Sequence, residues 1–172
     1  VNITGNTTII ANDDGDKAFA FDVCKYQSYE APVVNVNTTG KISGKIEVSA
    51  EIPTNLNISG NTITDISALH TLTKLKDFDF SGNQVEYLPD WPAGCALTTI
   101  DGSYNALSDI NSLGNMQQLT HVYMDYNLLT NIDSLADCFC MVQVNVFGNP
   151  IPDVSALRDR DIIVNYDPTV SQ

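Results

Sequence analysis

Asparagine stands at positions 61, 83, 105, 127 and 149, each separated from the next by the same 22 residues. A chain with a fixed beat of about 20–30 residues is a row of stacked copies of one small unit, because a unit that short cannot bury its apolar face alone. The flanking residues keep the same beat. Leu56, Phe78, Ile100, Val122 and Val144 share one slot; Ile58, Phe80, Met124 and Val146 share another two residues on, with Gly102 the exception. Alternation of this kind marks a strand with one buried face. Farther along each unit come Ile63, Val85, Leu107, Leu129 and Ile151, then Ile66, Leu88, Ile110, Ile132 and Val154. Last come Leu69, Leu113, Leu135 and Leu157, a column that Trp91 interrupts. The role of the asparagine amide follows from its place in the unit. Where the chain turns inward, it can bond backbone groups of adjoining coils that would otherwise be buried unpaired.

The order of apolar residues and asparagine follows the leucine-rich-repeat grammar. The segments LNISGNTITDISAL (56–69), LSDINSL (107–113), LTNIDSL (129–135) and IPDVSAL (151–157) resemble the short repeats of bacterial internalin-like surface proteins. The expected fold is an α/β-type leucine-rich-repeat solenoid. It has a curved parallel sheet on the concave face, short helical or irregular convex segments and an N-terminal cap. Three parts follow: a cap over 1–53, five repeats over 54–160, and a C-terminal cap or linker over 161–172. The strands are expected to begin near Asn55, Asp77, Thr99, His121 and Gln143. Residues 85–94 depart from the pattern, since Pro89, Pro92 and Gly94 cannot continue a helical back segment, and an irregular connection is expected there.

The first 50 or so residues carry a different text. Phe19, Val23 and Tyr26 fall at i, i+4 and i+7 within residues 16–26, which predicts a short amphipathic helix after the turn-like Asn12, Asp13, Asp14 and Gly15. Residues 33–36 and 46–48 are strand-like. Val34 and Val36 lie 22 residues before Leu56 and Ile58, the position of a degenerate first coil. The internalin-like resemblance implies a helical cap in this region, although no cap motif matches residue by residue. The start at Val1 and the run 167–172 read as a piece of a longer protein.

Eight Lys and Arg face 21 Asp and Glu, for a net charge of −13. Phosphate binding needs basic clusters, and this balance argues against nucleic acid. It allows either plain solubility or a basic partner drawn to an acidic face. No run of 18 apolar residues predicts a membrane span. Coils rise by about 4.8 Å, so Cys95 and Cys138, two coils apart, stand about 9–10 Å from each other, beyond the reach of a disulfide. Free thiols are expected. Cys138 and Cys140 have neither redox nor zinc spacing, and His70 and His121 complete no metal set. Residues 12–16 lack the ligand frame of a calcium loop. No phosphate loop or nucleophile elbow occurs, and a shallow sheet offers no closed pocket, so neither enzyme activity nor a cofactor is expected. The sequons at Asn2, Asn6, Asn37 and Asn57 are treated as coincidence.

Function then falls to the outward strand positions. They form the columns Asn55, Asp77, Thr99, His121, Gln143; Asn57, Asp79, Asp101, Tyr123, Asn145; and Ser59, Ser81, Ser103, Asp125, Phe147, with Tyr104 and Tyr126 at strand ends. Exposed aromatics among carboxylates nominate Asp79, Asp101, Tyr104, His121, Tyr123, Asp125, Tyr126 and Phe147 as a partner-binding surface. Against this stands the ordinary use of tyrosine on strand surfaces. The resulting expectation is a protein-binding, adhesive or recognition module of a bacterial surface or secreted protein. The alternatives are a carbohydrate-binding module, in which tyrosines stack on sugar rings, and an intracellular regulatory or spacer domain, which free cysteines would suit.

Overall fold

Each repeat sends three extended residues into a shared sheet and then returns over the far side of the core. The computed structural model describes residues 55–158 and 160–167, and the backbone of strands within 2–5, 9–10, 19–23, 34–38 and 42–48. In chain order the strands are β1 (Asn2–Gly5), β2 (Ile9–Ile10), β3 (Phe19–Val23), β4 (Val34–Thr38), β5 (Ile42–Val48), β6 (Asn55–Asn57), β7 (Thr62–Asp65), β8 (Asp77–Asp79), β9 (Thr99–Asp101), β10 (His121–Tyr123), β11 (Gln143–Asn145) and β12 (Ile163–Asn165). One eight-stranded sheet runs β1-β4-β6-β8-β9-β10-β11-β12. A second sheet is ordered β2-β5-β3, with β7 also paired to β5. Every pairing is parallel.

The five expected strand starts coincide with the first residues of β6, β8, β9, β10 and β11. Leu56, Phe78, Ile100, Val122 and Val144 stand in direct register across these strands, each nearly inaccessible to solvent. A slip of one residue would turn this whole row outward, so burial holds the register. Val34 pairs with Leu56, the match that the degenerate coil required. At the other end β12, in the stretch expected as cap or linker, adds Val164 beside Val144.

The helix expected over residues 16–26 is corrected in its centre. Phe19–Val23 is a strand, paired with β5; the rest of that stretch lies outside the described residues. Phe19, Val23 and Tyr26 fit one helical face while Phe19, Phe21 and Val23 alternate, and pairing with β5 selects the extended form.

The asparagines work as connectors between coils. Asn127 donates from Nδ2 to Met124 O in its own coil (3.1 Å) and to Gly102 O in the preceding one (2.9 Å), while its Oδ1 accepts from Leu107 N (3.0 Å). Asn83, Asn105 and Asn149 repeat the arrangement. Buried carbonyls and amides that no strand ladder reaches are thereby satisfied.

Both exceptions in the apolar columns have a packing cause. A Cβ on Gly102 would lie 2.4 Å from Phe80 Cζ and 2.8 Å from Met124 Sδ, so the Phe80 ring occupies the space that a side chain at 102 would need. Trp91 fills the leucine slot of its coil; it is buried, edge-on to Phe78 at 6.3 Å.

On the convex side, short 3₁₀ turns span Ser67–Thr71, Asn111–Asn115 and Asp133–Asp137, and a single helical turn, α1, spans Ser155–Arg158. A side-chain oxygen opens each one: Asp65, Asp109, Asn131 and Asp153 accept from the backbone N–H two residues on. In repeat two the equivalent position is Tyr87, which has no such acceptor. With Pro89 and Pro92 following, residues 85–94 form no helix or strand. Near the C-terminal end, Arg160 donates to Ala136 O (2.7 Å) and to Cys138 O (2.8 Å), which also accepts from Met141 N, where the last 3₁₀ turn ends.

Cys95, Cys138 and Cys140 are free thiols, the first two buried and the third exposed. Cys138 Sγ donates to Leu113 O at 3.2 Å, and burial pushes its thiol up to about 11. Cys24 lies outside the described residues.

Candidate recognition surface

The strands end in a slot that repeats as Gly60, Gly82, Tyr104, Tyr126 and Gly148. All five adopt a left-handed backbone, with φ of 70°, 67°, 57°, 53° and 69°. Glycine takes this conformation freely, whereas a bulky L-residue there costs about 1–2 kcal/mol. Two successive coils nevertheless place tyrosine in the slot. Their rings stack at 4.7 Å with planes 16° apart, and both are well exposed, Tyr104 at 59% and Tyr126 at 47%. Phe147, 45% exposed, meets Tyr126 edge-on at 6.3 Å. The Tyr126 ring also lies over the backbone of the next coil, since a Cβ on Gly148 would stand 2.6 Å from Tyr126 Cδ1. The result is a rigid aromatic ladder along the rim where the strands end.

Beside the rim, on the sheet itself, is a groove of about 310 Å³ lined by Asn55, Leu56, Asn57, Asp77, Phe78, Asp79, Thr99, Asp101 and Tyr123. Asp79 is held within it by Asn57 Nδ2 at 2.8 Å on one oxygen and by Ser81 N and Oγ on the other. Asp101 Oδ1 accepts from Ser103 N at 3.0 Å. These bonds shape the bend after each strand, so both carboxylates have structural work besides any recognition. Burial raises the Asp101 carboxyl above its ordinary value, the Ser103 hydrogen bonds oppose this, and the like charges of Asp79 and Asp125 add to the rise. Asp125 Oδ1 accepts from Phe147 N at 2.7 Å, tying the carboxylate to the ladder. His121 and Tyr123 form a looser stacked pair at 6.3 Å, with Thr120 Oγ1 at 2.8 Å from His121 Nδ1.

The eight nominated residues therefore fall into two neighbouring groups. Tyr104, Tyr126, Phe147 and Asp125 belong to the rim; Asp79, Asp101 and Tyr123 line the groove, and His121 stacks on Tyr123. Asn55, Asn57, Asp77 and Thr99 also line the groove, and only their place in the outward columns signals it, because their residue types are ordinary for a strand surface. The left-handed slot was visible as glycine at 60, 82 and 148, but the stacking direction was not. Among the described residues no cluster of three His, Cys, Asp or Glu is arranged to hold a metal ion. Among the same residues no helix is long and apolar enough to cross a membrane.

Residues 54–93 match the sequence model of the family described as Leucine Rich repeats (2 copies). No curated protein sequence matches the chain. Among solved structures, internalin C2 of Listeria monocytogenes is similar at 23% identity and TM-score 0.62, covering 77% of this chain and 70% of its own. An internalin of the same organism, InlF, is similar at 23% identity and TM-score 0.62, covering 78% of this chain and 41% of its own. A leucine-rich-repeat protein of Leptospira interrogans follows at 17% identity and TM-score 0.60, covering 73% of this chain and 35% of its own. The chain thus spans less than half the length of the latter two. At these identities the likeness establishes the fold. With its 22-residue coils, parallel sheet and buried asparagine ladder, the chain is a leucine-rich-repeat protein structurally similar to the Listeria internalins.

Proposed function

We propose that this chain is a non-catalytic protein-recognition module of a bacterial surface or secreted protein, engaging its partner through the sheet face and its rim. In this proposal residues 1–53 act as the N-terminal cap, 54–160 as the recognition repeats and 161–172 as the C-terminal cap or linker. The observation that carries the reading is the aromatic ladder: Tyr104, Tyr126 and Phe147 pack on one another and still leave much of their rings in solvent. Rigid aromatics of this kind supply large contact area at small entropic cost, the usual composition of an interface hot spot. Tyr123, half-buried between groove and rim, extends the same surface. The similarity of fold to surface proteins of the internalin type supports a partner outside the bacterial cytoplasm.

The test is a photo-crosslinking residue at position 123, compared with one at the exposed convex Tyr87, in the presence of bacterial-envelope and host-cell extracts. A protein captured from 123 and not from 87, and lost when Tyr126 is changed to Ala, is the expected result. For an identified partner, Tyr123→Ala should weaken binding by about 1–3 kcal/mol with stability almost unchanged. Capture only from the convex side would place recognition elsewhere. Glycan-array binding without protein capture would favour the carbohydrate alternative.

A further inference from the structure

The ladder is specific enough to name the chemistry of its occupant, an inference that rests on the protein-recognition reading. One face of Tyr104 is covered by Tyr126. On its other side the next slot is Gly82, an exposed residue without a side chain to cover the ring. The rim thus offers a flat aromatic face above bare backbone, a shelf for a planar group.

Charge decides which planar group. Chain-wide there are 21 acidic and 8 basic residues, and the outward columns and rim contain no Lys or Arg. Asp125 adds negative charge on the covered side of the ladder, where its Oδ1 accepts from Phe147 N. Asp101 and Asp79 continue the negative charge into the adjoining groove. A tyrosine face attracts cations through its quadrupole, and a neighbouring carboxylate adds to that attraction. Guanidinium, being planar, fixed in charge and weakly hydrated, suits both features better than an ammonium group. An acidic or phosphorylated segment would be repelled, and a neutral sugar would gain nothing from the field.

We propose that the rim formed by Tyr104, Tyr126 and Phe147 docks an arginine-bearing polypeptide segment, with a guanidinium laid on the open face of Tyr104 over Gly82 and drawn by Asp79 and Asp101, the groove carboxylates of the same two coils. The occupant is a basic stretch of the partner protein, and the remaining rings pack against its apolar side chains.

The probes are three capped pentapeptides of sequence Gly-Xaa-Gly-Xaa-Gly in which Xaa is arginine, lysine or the neutral isostere citrulline. Binding is read from the tyrosine ring signals by NMR titration at low salt. The variants are Tyr104→Gly, Tyr126→Gly and Asp101→Asn, with Tyr87→Ala as a control on another surface. Glycine suits the left-handed slot, so the first two variants should fold and melt no lower than the original chain. Saturable binding of the arginine peptide is expected, with citrulline roughly tenfold weaker and lysine between them. Tyr104→Gly and Asp101→Asn should each lose a similar factor, and Tyr87→Ala none. Arginine and citrulline peptides binding alike would overturn the cationic partner. So would undiminished binding to Tyr104→Gly, which would reduce the effect to diffuse attraction by net charge. Absence of arginine-peptide binding while position 123 still captures a protein would overturn this inference and leave the protein-recognition reading standing. Arginine-peptide binding with no protein captured from position 123 would uphold this inference and overturn the groove's share in that broader reading.

Discussion

The indole Nε1 of Trp91 donates to the carbonyl of Leu69, 22 residues earlier, at 3.0 Å. One side chain thereby fills the slot that leucine fills in other coils and gives a second donor to a backbone oxygen within the Ser67–Thr71 turn. The ring's bulk also compensates for a coil whose back segment makes no turn of its own. Trp91→Phe keeps most of the apolar volume and removes one of the two donors to Leu69 O, the Leu72 N–H staying at 3.0 Å, for an expected loss of about 0.5–1.5 kcal/mol. Trp91→Ala adds a cavity and should cost about 3–5 kcal/mol. Urea unfolding of the two variants checks both values; a Phe variant as stable as the original chain would show that the hydrogen bond contributes nothing.

Asn127→Ala removes the amide that joins two coils, stripping a donor from Gly102 O and Met124 O and an acceptor from Leu107 N. The expected destabilisation is about 2–4 kcal/mol, because these groups are buried where water cannot replace the lost bonds. Asn131→Ala, which removes an exposed turn-opening oxygen, should cost only about 1 kcal/mol. Similar midpoints for the two variants would contradict the connector role.

The Asp101 carboxyl titrates above its ordinary value of 3.8, because burial and the charges of Asp79 and Asp125 disfavour the ionised form. Between the unfolded and folded values the native state holds more proton, so this group's contribution to stability falls as pH rises. At neutral pH its charge is therefore a net cost. Asp101→Asn keeps an oxygen for Ser103 N and removes the charge, so it should melt higher than the original chain at pH 7. The difference should vanish once the pH drops below 3.8 and both side chains are neutral. A variant that melts lower at pH 7 would mean that the carboxylate is stabilised by something beyond these groups.

Thiol labelling separates the cysteines by burial. In the native protein Cys140 should react with an alkylating reagent within minutes, while Cys95 and Cys138 stay protected until the chain unfolds. Cys138 is doubly protected, since its pKa of about 11 leaves almost no thiolate at pH 8. Under denaturing conditions without reductant all should label, and mass spectrometry would reveal any pair that does not.

The 22-residue beat alone determined the strand starts, the facing columns and the connecting role of the asparagines, because stacking identical units leaves one register that buries every apolar row at once. It also exposed residues 85–94 as irregular, through prolines that no tertiary contact can make into helix. Other features needed the folded neighbour. By residue type Trp91 breaks a leucine column, whereas the slot selects for volume and tolerates an indole that finds an acceptor. Gly102 looked like a defect until the Phe80 ring was found occupying its space. Phe19 and Val23 belong both to a helical face with Tyr26 and to an alternation with Phe21, and only the partner strand β5 chooses between the two. The aromatic rim was half legible: the glycine slot was written at 60, 82 and 148, yet whether Tyr104 and Tyr126 would stack, and toward which coil, depended on the empty backbone at Gly148. A linear sequence records which residues recur, but distances between residues 22 apart exist only once the coils have closed on one another.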